Sequence, residues 1–125
     1  MCWQRPGRYM RRDAVLLAEI VTAVRRILEL AAGQSAGEIE VAPDRRDSLL
    51  WNFTVLGEAV SQLSAGLKAD HPTVPWTDAS RLRNRVVHGY WSVDFEVLIA
   101  TARDDLPSFL GGVESVLASL VENAG

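Results

Sequence analysis

Residues 43–67 read PDRRDSLLWNFTVLGEAVSQLSAGL. Within them Leu49, Phe53, Leu56, Val60, Leu63 and Leu67 recur at steps of 4, 3, 4, 3 and 4. That is the period of one face of an α-helix, held over the whole stretch. Pro43 and Asp44 suit its entrance: proline has no N–H to leave unpaired in the first turn, and a carboxylate there complements the helix dipole. Trp51, Val55 and Ala59 lie off the stripe and widen the apolar face, so this helix needs more than one neighbour. In a chain of 125 residues a second copy can be one of them.

Upstream, residues 11–33 (RRDAVLLAEIVTAVRRILELAAG) place Leu16, Ile20, Val24, Ile27 and Ala31 on a second helical stripe, with Gly33 as its stop. Pro6 and Gly7 discourage a helix in residues 1–10, which are expected to be a flexible arm ahead of a helical domain over 11–122. Residues 33–42 read as a connection. Downstream, Pro72 and Pro75 break the helical pattern. A third helix is expected through ASRLRNRVVH, capped by Thr77 or Asp78 and ended by Gly89. Another starts near Asp94 as its cap and carries Phe95, Leu98, Ile99 and Ala102 until Pro107 kinks or interrupts it. Val113, Val116, Leu117 and Leu120 form the last stripe. No strand ladder and no repeat is evident. The expected fold is all-α, a bundle of four to five helices.

Composition narrows the function. Hydrophobic residues make up 48% and charged residues 23%, and the net charge is −3. A folded globule is expected, and an architectural DNA binder, which would carry a basic balance, is disfavoured. The single cysteine, Cys2, forms no internal disulfide and proposes no metal site. No apolar run reaches the ~20 residues that span a bilayer, and the N-terminus does not read as a signal peptide, so a cytoplasmic protein with no membrane partner is expected. Two separated histidines make a poor zinc set, and Gly7, Gly33 and Gly57 form no phosphate loop, so no metal and no cofactor are expected.

Against that acidic background, residues 81–90 (RLRNRVVHGY) concentrate three arginines beside one of only two histidines. On a helix Arg81, Asn84 and His88 share a face, and Arg85 adjoins Arg81 and His88. Arg83 falls about 140° away from His88 by the helical period. Either the last turn is distorted, or Arg83 and His88 cooperate across a subunit boundary. Histidine can move a proton near neutral pH, arginine holds a phosphate, and asparagine can orient either. Cleavage of RNA by its own 2′-hydroxyl needs those services: a base for the hydroxyl, a cation for the pentacovalent phosphate, an acid for the leaving oxygen. The same residues also fit a solvated basic helix end, or a non-catalytic anion or protein contact. Glu58 fits either an exposed polar face or a carboxylate that pairs with an arginine of this helix. His71 reads as a loop residue. Trp51, Trp76 and Trp91 read as packing residues, the last two placed to line a base-binding cleft.

RNRVVHGY resembles the R-N-x-x-x-H-x-Y pattern of the HEPN superfamily, specifically its HepT-like members. The flanks agree over roughly residues 9–110: RRDAVLLAEIVTAVRRI, LLWNFTVLGEAVSQLS with its GEA step, HPTVPW, and VDFEVLIATARDDLP. The resemblance implies a HEPN-type bundle and a metal-independent endoribonuclease toxin, homodimeric, with both copies facing one cleft. By position it implies Arg83, Asn84 and His88 as catalytic residues; helical spacing and charge, not the resemblance, put Glu58, Arg81, Arg85 and Asp94 in support. It implies RNA as substrate and, as partner, a minimal nucleotidyltransferase antitoxin of the MNT type that AMPylates Tyr90. An AMP group two residues from His88 would fill the Arg83 cleft and repel the RNA backbone. A non-catalytic HEPN-type interaction module, or one that binds a nucleotide or phosphate, stays open as the alternative.

Overall fold

The stripe over residues 49–67 builds the centre of an all-α structure. The computed structural model of the chain describes the backbone of residues 6–88 and 94–124 and the side chains of residues 11–86 and 94–122. Among the described residues there are seven α-helices: α1 Pro6–Ala31, α2 Ala36–Glu40, α3 Pro43–Gln62, α4 Ala65–Asp70, α5 Trp76–His88, α6 Phe95–Asp104 and α7 Leu106–Ala124. Helix α3 packs on α1, α1 on α7, and α5 on α3. An edge-to-face contact between Trp76 of α5 and Phe109 of α7, with ring centroids 6.2 Å apart, closes the set on its other side. Helix α6 lies against α1, α2 and α7. The core these helices share includes Leu17, Ile20, Val24, Ile27, Leu49, Phe53, Leu56 and Val60, each 1% exposed or less.

The expected four or five helices are thus corrected to seven, and the reasons are local. The connection over residues 33–42 contains α2, which Ser35 caps. The Ser35 hydroxyl accepts from Glu38 N at 3.1 Å, and the Ser35 N–H donates to Glu38 Oε1 at 2.9 Å, a capping box. The Ser35 backbone N–H first, and then its hydroxyl, hold the Glu38 carboxyl below the ordinary carboxylate range. Gly33 does end α1 as expected, with φ +69°, a conformation that disfavours any residue with a Cβ. Pro107 sits at the second position of α7, where a missing N–H is harmless, so two helices meet at Asp105 instead of one kinked helix. Helix α1 begins at Pro6, upstream of the start expected after residue 10, for the same reason.

The deciding stretch itself is two helices. Leu63 leaves the helical conformation at φ −61° and ψ 146°, and Ser64 caps α4 by accepting from Leu67 N at 3.2 Å. The break is held by Asp13 of α1. Its two carboxylate oxygens accept from Ser64 N at 3.0 Å and from Ser64 Oγ at 2.6 Å, and it is only 4% exposed. The apolar period survives the break because Leu63 and Leu67 both turn into the core. Replacing Asp13 by alanine leaves the Ser64 N–H unpaired. We expect a loss of about 2 kcal/mol in urea denaturation, with Asp13→Asn losing less.

Two smaller expectations are also corrected. Trp51 does not pack: it is 66% exposed, while Ala59 is buried and Val55 half-buried. Helix α5 begins at Trp76, so Thr77 and Asp78 stand inside its first turn and neither is the cap. No helix among the described residues is long and apolar enough to cross a membrane.

Candidate functional site

The meeting of α3 and α5 is set by a residue with no side chain. A Cβ added to Gly57 would overlap that of Arg83 and come within 2.7 Å of its Cγ and 3.0 Å of its Cα. The two backbones can approach this closely only because position 57 is glycine. The close approach lays the Arg83 side chain across α3 beside the next residue, Glu58. Arg83 Nη2 lies 2.8 Å from Glu58 Oε2, and Nη1 donates to Asn84 Oδ1 at 3.0 Å. The guanidinium is therefore gripped from two sides, by a carboxylate on α3 and by its own neighbour on α5. Its Nε is buried with no hydrogen-bond partner among the described residues. The Arg83 and Glu58 side chains are 30% and 46% exposed, so the pair is wet and its own contribution to stability is modest. Its effect is on position: each terminal nitrogen keeps a second N–H with which to meet an oxyanion.

The other arginines of this segment go elsewhere. Arg81 and Arg85 are exposed and stand over a cleft between α5 and α6. Asp94 is taken up by its own helix, accepting from Glu96 N at 2.9 Å at the start of α6, as expected for a cap. The backbone of α5 stays α-helical to His88, so no unwinding of the last turn relieves the ~140° between positions 83 and 88. The side chain of His88, together with Gly89, Tyr90 and Trp91, lies outside the described residues. Among the described residues, no group of three or more His, Cys, Asp and Glu side chains is gathered so as to hold a metal ion.

The structure thus brings together Arg83, Asn84 and Glu58, while Arg81, Arg85 and Asp94 form no hydrogen bond or ion pair with them among the described residues. Gly57 is the residue that sequence reasoning missed. The signal was present: a glycine inside a strong helical stripe costs about 1 kcal/mol against alanine, which calls for a packing reason.

Comparison with known proteins bears on this geometry. A family model described as "Ribonuclease HepT-like" matches residues 20–116, which include both Gly57-Glu58 and the whole of RNRVVHGY. A "Probable ribonuclease HepT" of Thermococcus cleftensis is 36% identical over 62 residues, covering 50% of this chain and 56% of that relative. Two relatives that carry the name "Putative RNase" align over more of their length. One from Methanocaldococcus jannaschii is 21% identical over 83% of this chain and 86% of its own. One from Caldanaerobacter subterraneus subsp. tengcongensis is 22% identical over 86% of this chain and 96% of its own. No solved structure matches the chain.

Proposed function

The chain belongs to the ribonuclease HepT-like family, and from that premise we propose that it is a metal-independent endoribonuclease toxin. The observation that carries the reading is the Arg83 guanidinium, fixed by Glu58 at 2.8 Å and Asn84 at 3.0 Å on the helix that also bears His88. A held cation of this kind can neutralise the second negative charge that develops on a phosphate under attack, with no reorganisation at the moment of reaction. In the proposed mechanism a base takes the proton of the 2′-hydroxyl, whose oxygen attacks the adjacent phosphorus. Arg83 stabilises the pentacovalent phosphate. The P–O5′ bond breaks, and an acid returns a proton to the 5′ oxygen, leaving a 2′,3′-cyclic phosphate. His88 is the proton carrier of each subunit.

The angular separation of positions 83 and 88 on one helix supports a homodimer, in which the Arg83 of one subunit and the His88 of its partner flank one phosphate. The same reading assigns neutralisation to a nucleotidyltransferase antitoxin of the MNT type. It would transfer AMP from ATP to the Tyr90 hydroxyl, with pyrophosphate as the leaving group, and the added phosphodiester would compete for the arginine cleft. A cytoplasmic site of action follows from the RNA substrate.

The test is the chemistry of the product ends. Purified protein should cut single-stranded RNA in the presence of a chelator and leave a 2′,3′-cyclic phosphate, and His88→Ala should leave no cut product. Fragments ending in a 3′-hydroxyl, or undiminished cutting by His88→Ala, would sink the mechanism.

A further inference from the structure

The cleft between α5 and α6 has no part in the reaction just described. Its volume is about 260 Å³, the scale of one small ligand and not of a partner helix. Arg81 and Arg85 stand on its α5 side, one helical turn apart. Both are exposed, and neither has a hydrogen bond or ion pair among the described residues. This differs from Arg83, which Glu58 holds, and from Arg25, which meets Glu114. Leu82 of α5 and Val97 of α6, the latter 39% exposed, supply apolar surface to either side. Asp78 and Asp105 also line the cleft.

The charge pattern selects a ligand. Two forks of guanidinium N–H groups one turn apart call for phosphate. The carboxylates only accept hydrogen bonds and repel phosphate, so the groups that meet them must be donors: a ribose hydroxyl or the exocyclic amino group of a base. Apolar walls suit the faces of a base. Phosphate, sugar and base together make a nucleotide. Position 88 lies three residues beyond Arg85, on the same face of α5, so a strand bound in the cleft would run toward the histidine of the reaction proposed above.

We propose that the α5–α6 cleft is a nucleotide subsite, holding a residue of the RNA strand that flanks the reacting phosphate, with Arg81 and Arg85 on its backbone. The choice of RNA as the strand rests on the ribonuclease reading; the nucleotide chemistry of the cleft does not. The test uses the full-length chain and a fluorescent 2′-O-methyl RNA, which cannot attack its own phosphate, read by anisotropy over a salt series. Arg81→Ala/Arg85→Ala should weaken a decanucleotide roughly tenfold and flatten its log K against log salt by about 1.4, that is ~0.7 for each lost phosphate contact on a single strand. Binding of a dinucleotide should change little. Val97→Trp, which fills the cleft at an exposed position and removes no charge, should weaken the decanucleotide as well. Arg26→Ala, which removes a cation on α1, should leave the slope as it is. Unchanged affinity and slope in the double variant, or full affinity in Val97→Trp, would overturn the proposal. So would loss of self-association in these variants with RNA affinity intact, because the cleft would then be a protein contact. The two readings fail separately: a wild type that binds through the cleft but cuts no unmodified RNA refutes the nuclease alone, and one that cuts RNA while the variants bind normally refutes the subsite alone.

Discussion

Gly57→Ala should lower RNA cleavage by roughly 100-fold in kcat/KM while the protein remains folded. Two effects oppose each other in its stability. Alanine in place of a mid-helix glycine favours α3 by about 1 kcal/mol. The added methyl overlaps Arg83, and overpacking of this kind costs about 1–3 kcal/mol. The net change is a loss of about 0–2 kcal/mol, within what a folded domain tolerates. Activity has no such offset. The clash reaches the Cα of Arg83, at 3.0 Å, and not only the far end of a flexible side chain. Helix α5 must therefore move as a body, and the guanidinium moves with it, away from Glu58. A displacement on the order of 1 Å at a charge-stabilising group costs about 100-fold. Gly111→Ala is the control: nothing lies within 4 Å of its added Cβ, so α7 should be stabilised by about 0.5–1 kcal/mol and cleavage left alone. Thermal unfolding and a cleavage assay on the two variants separate the effects. Wild-type cleavage by Gly57→Ala would mean that the α3–α5 distance does not govern the reaction.

The glycine also shows how far the sequence could be read. The 4-3-4-3-4 stripe fixed a helical face correctly, since Leu49, Phe53, Leu56, Val60, Leu63 and Leu67 are all buried. It could not show that the stripe is cut at Ser64, because the cut depends on Asp13, 51 positions away in sequence. Helix α2 was legible: Ser35-Ala-Gly-Glu38 is a capping box in plain sight, too short to register as a period. Trp51 misled because size and hydrophobicity alone count it as core. On the helix it stands on the outward side of α3, with Glu58, away from Phe53 and Val60. Pairing of Glu58 with an arginine of α5 was one of two readings left open by its chemistry. Which arginine it meets follows from the crossing at Gly57, a tertiary fact. The separation of Arg81 and Arg85 from Arg83 is the opposite case. It follows from 3.6 residues per turn alone and needs no partner helix to be foreseen.

Arg83→Lys should lose most of the cleavage that Arg83→Ala loses, although it keeps the charge. Arg83→Ala removes the held cation, and loss of one such group costs about 10²–10³ in kcat. Lysine restores a charge but not a planar fork that can meet Glu58, Asn84 and a phosphate together, so it should recover no more than about tenfold of that loss. Neither change should much affect folding, because the ion pair is still open to solvent on part of its surface and such pairs contribute ~0–1 kcal/mol. Glu58→Gln gives the sharper test of the proposed mechanism, in which Glu58 positions Arg83 and need not touch RNA. The amide still offers an oxygen to Nη2, but the grip is no longer charge-assisted, so kcat should fall by roughly tenfold. Removing a negative charge next to the phosphate should at the same time tighten RNA binding, so KM should fall and not rise. That split distinguishes positioning from simple damage, which would lower kcat and raise KM together. The two changes should also be non-additive. In an Arg83→Ala background Glu58→Gln has nothing left to position and should cost no further kcat. A full tenfold loss in that background would show that Glu58 acts on the reaction by a route that does not pass through Arg83.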